Sequence, residues 1–222
     1  MRSKHIKQTI MRNSIFTFFF LFLTSSLAGQ LLDEGHTPQF KFGIQGGYNY
    51  ATAVDRNMIF AGVEGVNLFH LGVCGDIHLV KRFSLEPSLL INRKGFGLLI
   101  ESGPLNEYKL DYVGIQLLGK IHLTKAFRIM IGGEVARLGS VTRTTIQFER
   151  EFFNDLDNSF IAGLEISILD KLSIYAKYQM SINTTLDIFV TDMNGIVVGD
   201  GILNSRNLMI GATFYPFRVE VL

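Results

Sequence analysis

From residue 40 onward the apolar side chains recur at every second position, the period of a strand that turns one face away from water. In "FKFGIQGGYNY" Phe40, Phe42, Ile44, Gly46, Tyr48 and Tyr50 fall on one face, and Lys41, Gly43, Gln45, Gly47 and Asn49 on the other. The next run sets Phe69, Leu71, Val73, Gly75, Ile77 and Leu79 against Leu68, His70, Gly72, Cys74, Asp76 and His78. In the third, Phe83, Leu85, Pro87, Leu89 and Ile91 oppose Ser84, Glu86, Ser88, Leu90 and Asn92. In the fourth, Val113, Ile115, Leu117, Ile121 and Leu123 oppose Gln116, Lys120 and His122. Four further runs occupy residues 127–137, 160–169, 172–182 and 207–217, so the pattern predicts eight strands.

The connections alternate as well. "DIHLVKRFSL" at 76–85 returns as "KIHLTKAFRI" at 120–129, and more weakly as "ISILDKLSI" at 166–174. These repeats fall where strands two and three, four and five, and six and seven meet, so each is the tight turn of a hairpin. The remaining connections, 51–65, 95–107, 139–157 and 183–206, are long. An even number of strands with short turns on one side and long loops on the other is the layout of a bacterial outer-membrane barrel. The expected fold is therefore all-β: an eight-stranded antiparallel up-and-down transmembrane barrel.

A soluble eight-stranded barrel would show the same alternation with the apolar face inward. The membrane orientation is favoured by what the polar faces carry. Asp76, Glu86, Lys94, Lys120, Glu134, Glu165 and Lys177 are bulky and of both signs, suited to pairing across a narrow lumen, whereas the apolar faces are almost free of charge. Phe40, Phe83, Phe127, Tyr178 and Tyr215 stand near strand ends, where an interfacial girdle is expected. Pro87 lacks an N–H for the ladder, and a bulge near the inner end of its strand is expected to accommodate it.

Hydrophobic residues make up 47% of the chain and charged residues 18%, yet beyond Leu27 no apolar run approaches the ~18 residues of a spanning helix, so any crossing is made by strands. Residues 1–28 read as a secretory signal. Arg2, Lys4, Lys7 and Arg12 precede the apolar stretch 15–23, and Ser26 and Ala28 suit cleavage after Ala28, which leaves 29–222 as the barrel domain. Its removal leaves 17 basic against 20 acidic residues, which gives no electrostatic case for nucleic acid. Cys74 is the sole cysteine, so no intramolecular disulfide forms.

"FSLEPSLLINRKGFG", "YVGIQLLGKIHL", "FRIMIGGEVARLGS", "LSIYAKYQMSI" and the closing "LMIGATFYPF" resemble the PorT-like barrels, also called porin family proteins, of the small OmpX and OmpA type. The resemblance spans residues 41–217. It implies an eight-stranded barrel in the outer membrane of a Gram-negative-type cell, with no defined activity.

Candidate chemistry is sparse. His70, Cys74, Asp76 and His78 share one face of the second strand, and His122 repeats the position of His78 two strands on. These are metal-ligand and acid–base types, but residues two apart on a strand lie ~7 Å from each other, and lumen filling accounts for them without a metal. Glu86, Glu134 and Glu165 stand inward among lysines, where structural pairing is the commoner role. Asp187, Asp192 and Asp200 match no compact calcium loop. Asn194-Gly195 is a hairpin-turn signal within the last long connection, so the final two strands are expected to project as a ribbon. No catalytic, cofactor-binding or metal residues are assigned. The expected role is a non-enzymatic anchor for surface loops, with a narrow passive pore and a lipid-modifying enzyme as the alternatives. The expected partners are outer-membrane lipid, lipopolysaccharide, and envelope or secretion-complex proteins.

Overall fold

A computed structural model of the protein describes residues 39–55, 62–99, 106–143, 152–191 and 197–220. Residues 1–28, the expected signal, lie outside them. The chain forms β1 (Gln39–Asp55), β2 (Gly62–Glu64), β3 (Val66–Val80), β4 (Phe83–Leu99), β5 (Asn106–His122), β6 (Phe127–Arg143), β7 (Leu156–Leu169), β8 (Leu172–Ser181), β9 (Leu186–Thr191) and β10 (Val197–Glu220). Eight of them form a ring in the order β1, β3, β4, β5, β6, β7, β8, β10, closed by β10 pairing with β1 from Leu203–Asp55 down to Glu220–Gln39. The short β2 pairs with β4 outside this path, and β9 pairs with β10.

Exposure fixes which face is out. Ile115 and Leu117 are 66% and 44% exposed, whereas Gln116 between them is fully buried. The outward apolar residues form bands such as Phe83 to Ile91 in β4, Val113 to Leu123 through β5, and Phe160 to Ile168 in β7. Bands of about nine to eleven residues are what a tilted strand needs to cross a bilayer. Polar residues close six of the eight bands at their outer ends: Asn67, Arg93, Asp111, Arg137, Asn158 and Arg206.

The three repeated turns are the tight ones. In the second, Thr124 Oγ1 accepts from the backbone N–H groups of Ala126 and Phe127 (3.2 and 2.9 Å), so the side chain closes the turn that the two strands leave open. On the opposite side the strands outrun their expected ends. β4, β5, β6 and β10 extend through much of what reads as loop at 95–107, 139–157 and 183–206, and β1 runs on to Asp55. Above the apolar belt the outside is water, so the two faces exchange roles. In β5 Tyr108, Leu110 and Tyr112 are buried while Glu107, Lys109 and Asp111 point outward. The inward set joins Phe96, Leu98, Leu138, Phe153, Leu186 and Leu203 in an apolar core that fills the barrel's outer end.

Two local expectations are corrected. Pro87 is not absorbed by a bulge. The β3–β4 ladder lapses at Gly75–Pro87 and Asp76–Glu86, while Cys74–Ser88 and Ile77–Leu85 on either side keep one register. A residue without an N–H leaves a rung unmade, and the bulge nearer the turn, between His78 and Val80, lies beyond it. Tyr215 is buried inside the lumen and is no part of a girdle. Its inward position follows from Thr213 two residues earlier, before the irregularity where Ile44–Phe214 gives way to Phe42–Phe217.

Candidate functional site

The belt-level interior is the densest cluster of ionisable groups among the described residues. Lys120 lies at its centre, against Glu86, Glu165 at 2.7 Å and Asp76 at 3.8 Å. Glu165 also takes Arg128, and Lys177 reaches Glu86 at 3.2 Å. Lys177 donates to Gln45 Oε1 (3.0 Å) and Gln116 Oε1 (3.1 Å), and Gln116 donates on to Glu134 (3.3 Å). Glu134 meets Lys94 at 2.9 Å, and Lys94 continues to Asp157. Side chains from β3 to β8 thus form one connected column, as the alternating polar positions imply once the sheet is closed. A charge buried alone costs several kcal/mol, so the ions here meet counter-charges from other strands; Asp76 is held most loosely, with no hydrogen bond among the described residues and Lys120 at 3.8 Å.

The predicted glutamates are members of this column. Glu86 is held by two lysines and accepts from the Tyr215 hydroxyl at 3.3 Å. Glu134 also accepts from Gln179 Nε2 at 2.7 Å. Asn49 and Asn92 stand on faces that the alternation already marks as polar, whereas Asp157 and Arg128, which complete the column, and Gln179 were not singled out from sequence. Their signal was available in the parity of their strands, since each is in phase with an inward residue.

The histidines separate into two places. His70 Nδ1 lies 2.5 Å from Asn49 Oδ1, and its Nε2 2.5 Å from the Tyr175 hydroxyl. An amide oxygen can only accept, so Nδ1 carries the proton and Nε2 accepts from Tyr175. Tyr175 has room for its ring because its cross-strand neighbour is Gly211, where a Cβ would stand 2.6 Å from the tyrosine hydroxyl. Near the inner mouth the rings of His78 and His122 lie 4.9 Å apart. His122 is held by Ser84 Oγ at 3.0 Å and Arg128 Nε at 3.2 Å, and His78 Nδ1 stands 3.6 Å from Asp76. Cys74 is buried and free. Among the described residues no three His, Cys, Asp or Glu side chains converge as metal ligands. Asp187 and Asp200 belong to the β9–β10 ribbon, opposite Ile202 and Phe189, while Asp192 and Asn194-Gly195 lie outside the described residues.

The expected ribbon exists as β9 paired with β10, but β8 does not lead straight into it: Ile182 to Thr185 break the strand. Thr185 Oγ1 accepts from the Ser205 backbone N–H (3.0 Å), and Asn183 Nδ2 donates to the Leu156 carbonyl (2.6 Å), which ties the break to β10 and β7.

What this interior can do chemically is limited by how full it is. The ionic column occupies the belt level, and the apolar core closes the outer end above it. A comparison with protein families agrees on the architecture. The family model described as outer membrane protein beta-barrel domain matches residues 29–187. Ail, the attachment invasion locus protein of Yersinia pestis, is 14% identical with a TM-score of 0.44, and covers 83% of this chain and 100% of its own. Neisserial surface protein A is 12% identical with a TM-score of 0.44, covering 78% and 96%. The outer membrane protease OmpT from Escherichia coli is 11% identical with a TM-score of 0.34, covering 83% and 98%. No curated protein matches the sequence.

Proposed function

Because the chain belongs to the outer membrane β-barrel family and resides in the outer membrane, we propose that it is a non-enzymatic anchor that carries a rigid binding surface outside the bilayer. The observation that carries this reading is the pair of seals in the interior. A belt-level ion column and an apolar core above it leave the outer strand extensions and the β9–β10 ribbon as the elements free to meet a partner. An eight-stranded interior is just wide enough for its own side chains, which counts against a passive pore. The three inward glutamates are each paired within the column, which counts against a lipid-modifying enzyme. A strand ribbon that projects beyond the bilayer is suited to recruiting a partner strand wherever its edge is exposed. The likeness to PorT-like barrels favours a component of an envelope or secretion complex as that partner. Lipopolysaccharide is the lipid expected around the outer rim, where Arg93, Arg137 and Arg206 stand on the outward face.

The test is cross-linking in native outer membranes, comparing the wild type with a barrel in which residues 186–203 are replaced by a short Gly-Ser linker. A protein adduct that disappears with the ribbon, while the barrel remains heat-modifiable, supports the reading. Identical adducts from both forms would remove the ribbon as the docking element.

A further inference from the structure

The first of the three repeated turns differs from the others. Between β3 and β4 the chain reads Val80-Lys81-Arg82-Phe83, with Lys81 and Arg82 both exposed and adjacent. The second turn has one base, Lys125, between Thr124 and Ala126, and the third sets Lys171 beside Asp170. Directly above the first turn, the seam between β3 and β4 is also where the ladder lapses at Gly75–Pro87 and Asp76–Glu86. On the outer surface of that seam lies a shallow, open crevice of about 420 Å³, suited to a chain that lies against the sheet and not to an enclosed ligand. It is lined chiefly by Phe40, Phe42, Val73, Gly75, Pro87 and Leu89.

These features have separate causes. Glycine at 75 leaves no side chain on the outward face, proline at 87 removes a rung, and the turn supplies charge. Together they fit one kind of occupant. The crevice is part of the apolar belt, so what surrounds it is hydrocarbon. One leaflet of a ~30 Å core is ~15 Å deep, and the five steps from Arg82 to Pro87 span ~16 Å along the strand, which at a tilt of ~45° is ~12 Å of depth within that leaflet. A lipid whose phosphate rests at the turn therefore has its chain beside the crevice. Two adjacent bases on the periplasmic side favour an anionic headgroup.

We propose that the β3–β4 seam is a binding site for an anionic phospholipid, with the headgroup phosphate held by Lys81 and Arg82 and one acyl chain seated in the crevice between Phe40 and Pro87. The bound chain covers the stretch of sheet where the ladder is incomplete. The site rests on the barrel's orientation in the membrane and not on the partner proposed for its outer surface.

The test is native mass spectrometry of the full-length mature barrel released from detergent, titrated with phosphatidylglycerol and, separately, phosphatidylcholine. Lys81→Gln/Arg82→Gln and Gly75→Leu are the variants, each checked for folding by heat-modifiable gel mobility. A Cβ at Gly75 would stand 3.1 Å from the Phe40 ring, which can turn aside, and 3.6 Å from Pro87. The wild type is expected to hold one phosphatidylglycerol in preference to phosphatidylcholine. The charge variant should bind it at least roughly tenfold more weakly, from the loss of two surface charges near the headgroup. Gly75→Leu should lose the adduct while the turn remains intact, and Val73→Trp serves as the occluding variant if Gly75→Leu fails to fold. No preference for phosphatidylglycerol in the wild type, or undiminished binding in either class of variant, would overturn the site. So would a dimer in lipid that the occluding variant abolishes, since the crevice would then be a contact between two copies.

Discussion

At the scale of single residues, this barrel separates side chains that must meet lipid from side chains that must find a charged partner. Lys120 shows the second class. It is fully buried, with Glu86, Glu165 and Asp76 as its counter-ions. Lys120→Met removes one cation and leaves three carboxylates to repel one another, so it should destabilise the folded barrel by about 3–5 kcal/mol. Urea titration read by heat-modifiable gel mobility measures this, and a loss below about 1 kcal/mol would mean that water screens the column. Leu117 shows the first class. Leu117→Arg, near the middle of the belt, should cost about 2–4 kcal/mol, while Leu123→Arg at its inner end should cost about 0–1 kcal/mol. Equal costs in the same assay would disprove the assigned depth. From alternation alone, Gln116→Arg would be expected to be well tolerated, because its side chain points inward. The structure makes that substitution a poor control: Gln116 accepts from Lys177 and donates to Glu134 in a filled lumen, so an arginine there loses the acceptor and sets a second cation beside Lys177.

At the scale of the element, β5 spans two solvents. Its inward side chains keep one parity throughout, but their chemistry changes at Tyr112: Tyr108, Leu110 and Tyr112 pack in the outer core, while Gln116 and Lys120 belong to the ionic column. The change was visible in "NEYKLDYVGIQLLGKIH", where the apolar positions pass from even to odd numbers between Tyr112 and Val113. A search for lipid-facing strands starts at that switch and reads what precedes it as loop. The physical cause is that the surroundings of the outer face pass from water to hydrocarbon along one continuous strand. The switch makes a paired prediction for adjacent residues. Leu110→Ala, which opens a cavity in the outer core, should cost about 2–5 kcal/mol. Lys109→Ala, on the wet outer face, should stay within about 0.5 kcal/mol. The folded fraction in urea distinguishes the two, and similar values for both would refute an apolar core above the bilayer.

At the scale of the whole molecule, the ring is closed by β1 and β10, and its interior is filled at both levels. Purified barrel in planar bilayers is expected to show little steady conductance, because an ion would have to break the column and then pass the apolar core. Large, regular, ion-selective steps would revive the pore reading. The ladder carries several irregularities, and two of them bear on binding: the seam at Pro87 and the break from Ile182 to Thr185. One faces the inner leaflet, the other the cell exterior, and the two proposals for lipid and for partner binding divide between them.

The sequence alone determined the eight strands of the ring, the short-turn and long-loop asymmetry, the inward parity of the ionisable residues and the membrane orientation, but not the added β2 and β9. The features it determined follow from local period and from the contrast between a charge-free face and a charge-rich one. Only the tertiary structure decided which ion meets which, because Lys94 and Asp157, or Lys177 and Glu86, are brought together by register around a closed ring and not by spacing along the chain. It also decided that Tyr215 points inward and that Pro87 leaves a gap instead of a bulge, since both depend on how neighbouring strands align. The outer core was decided there too, because residues as distant as Phe96, Phe153 and Leu203 become one apolar cluster only when the extended strands close around them above the bilayer.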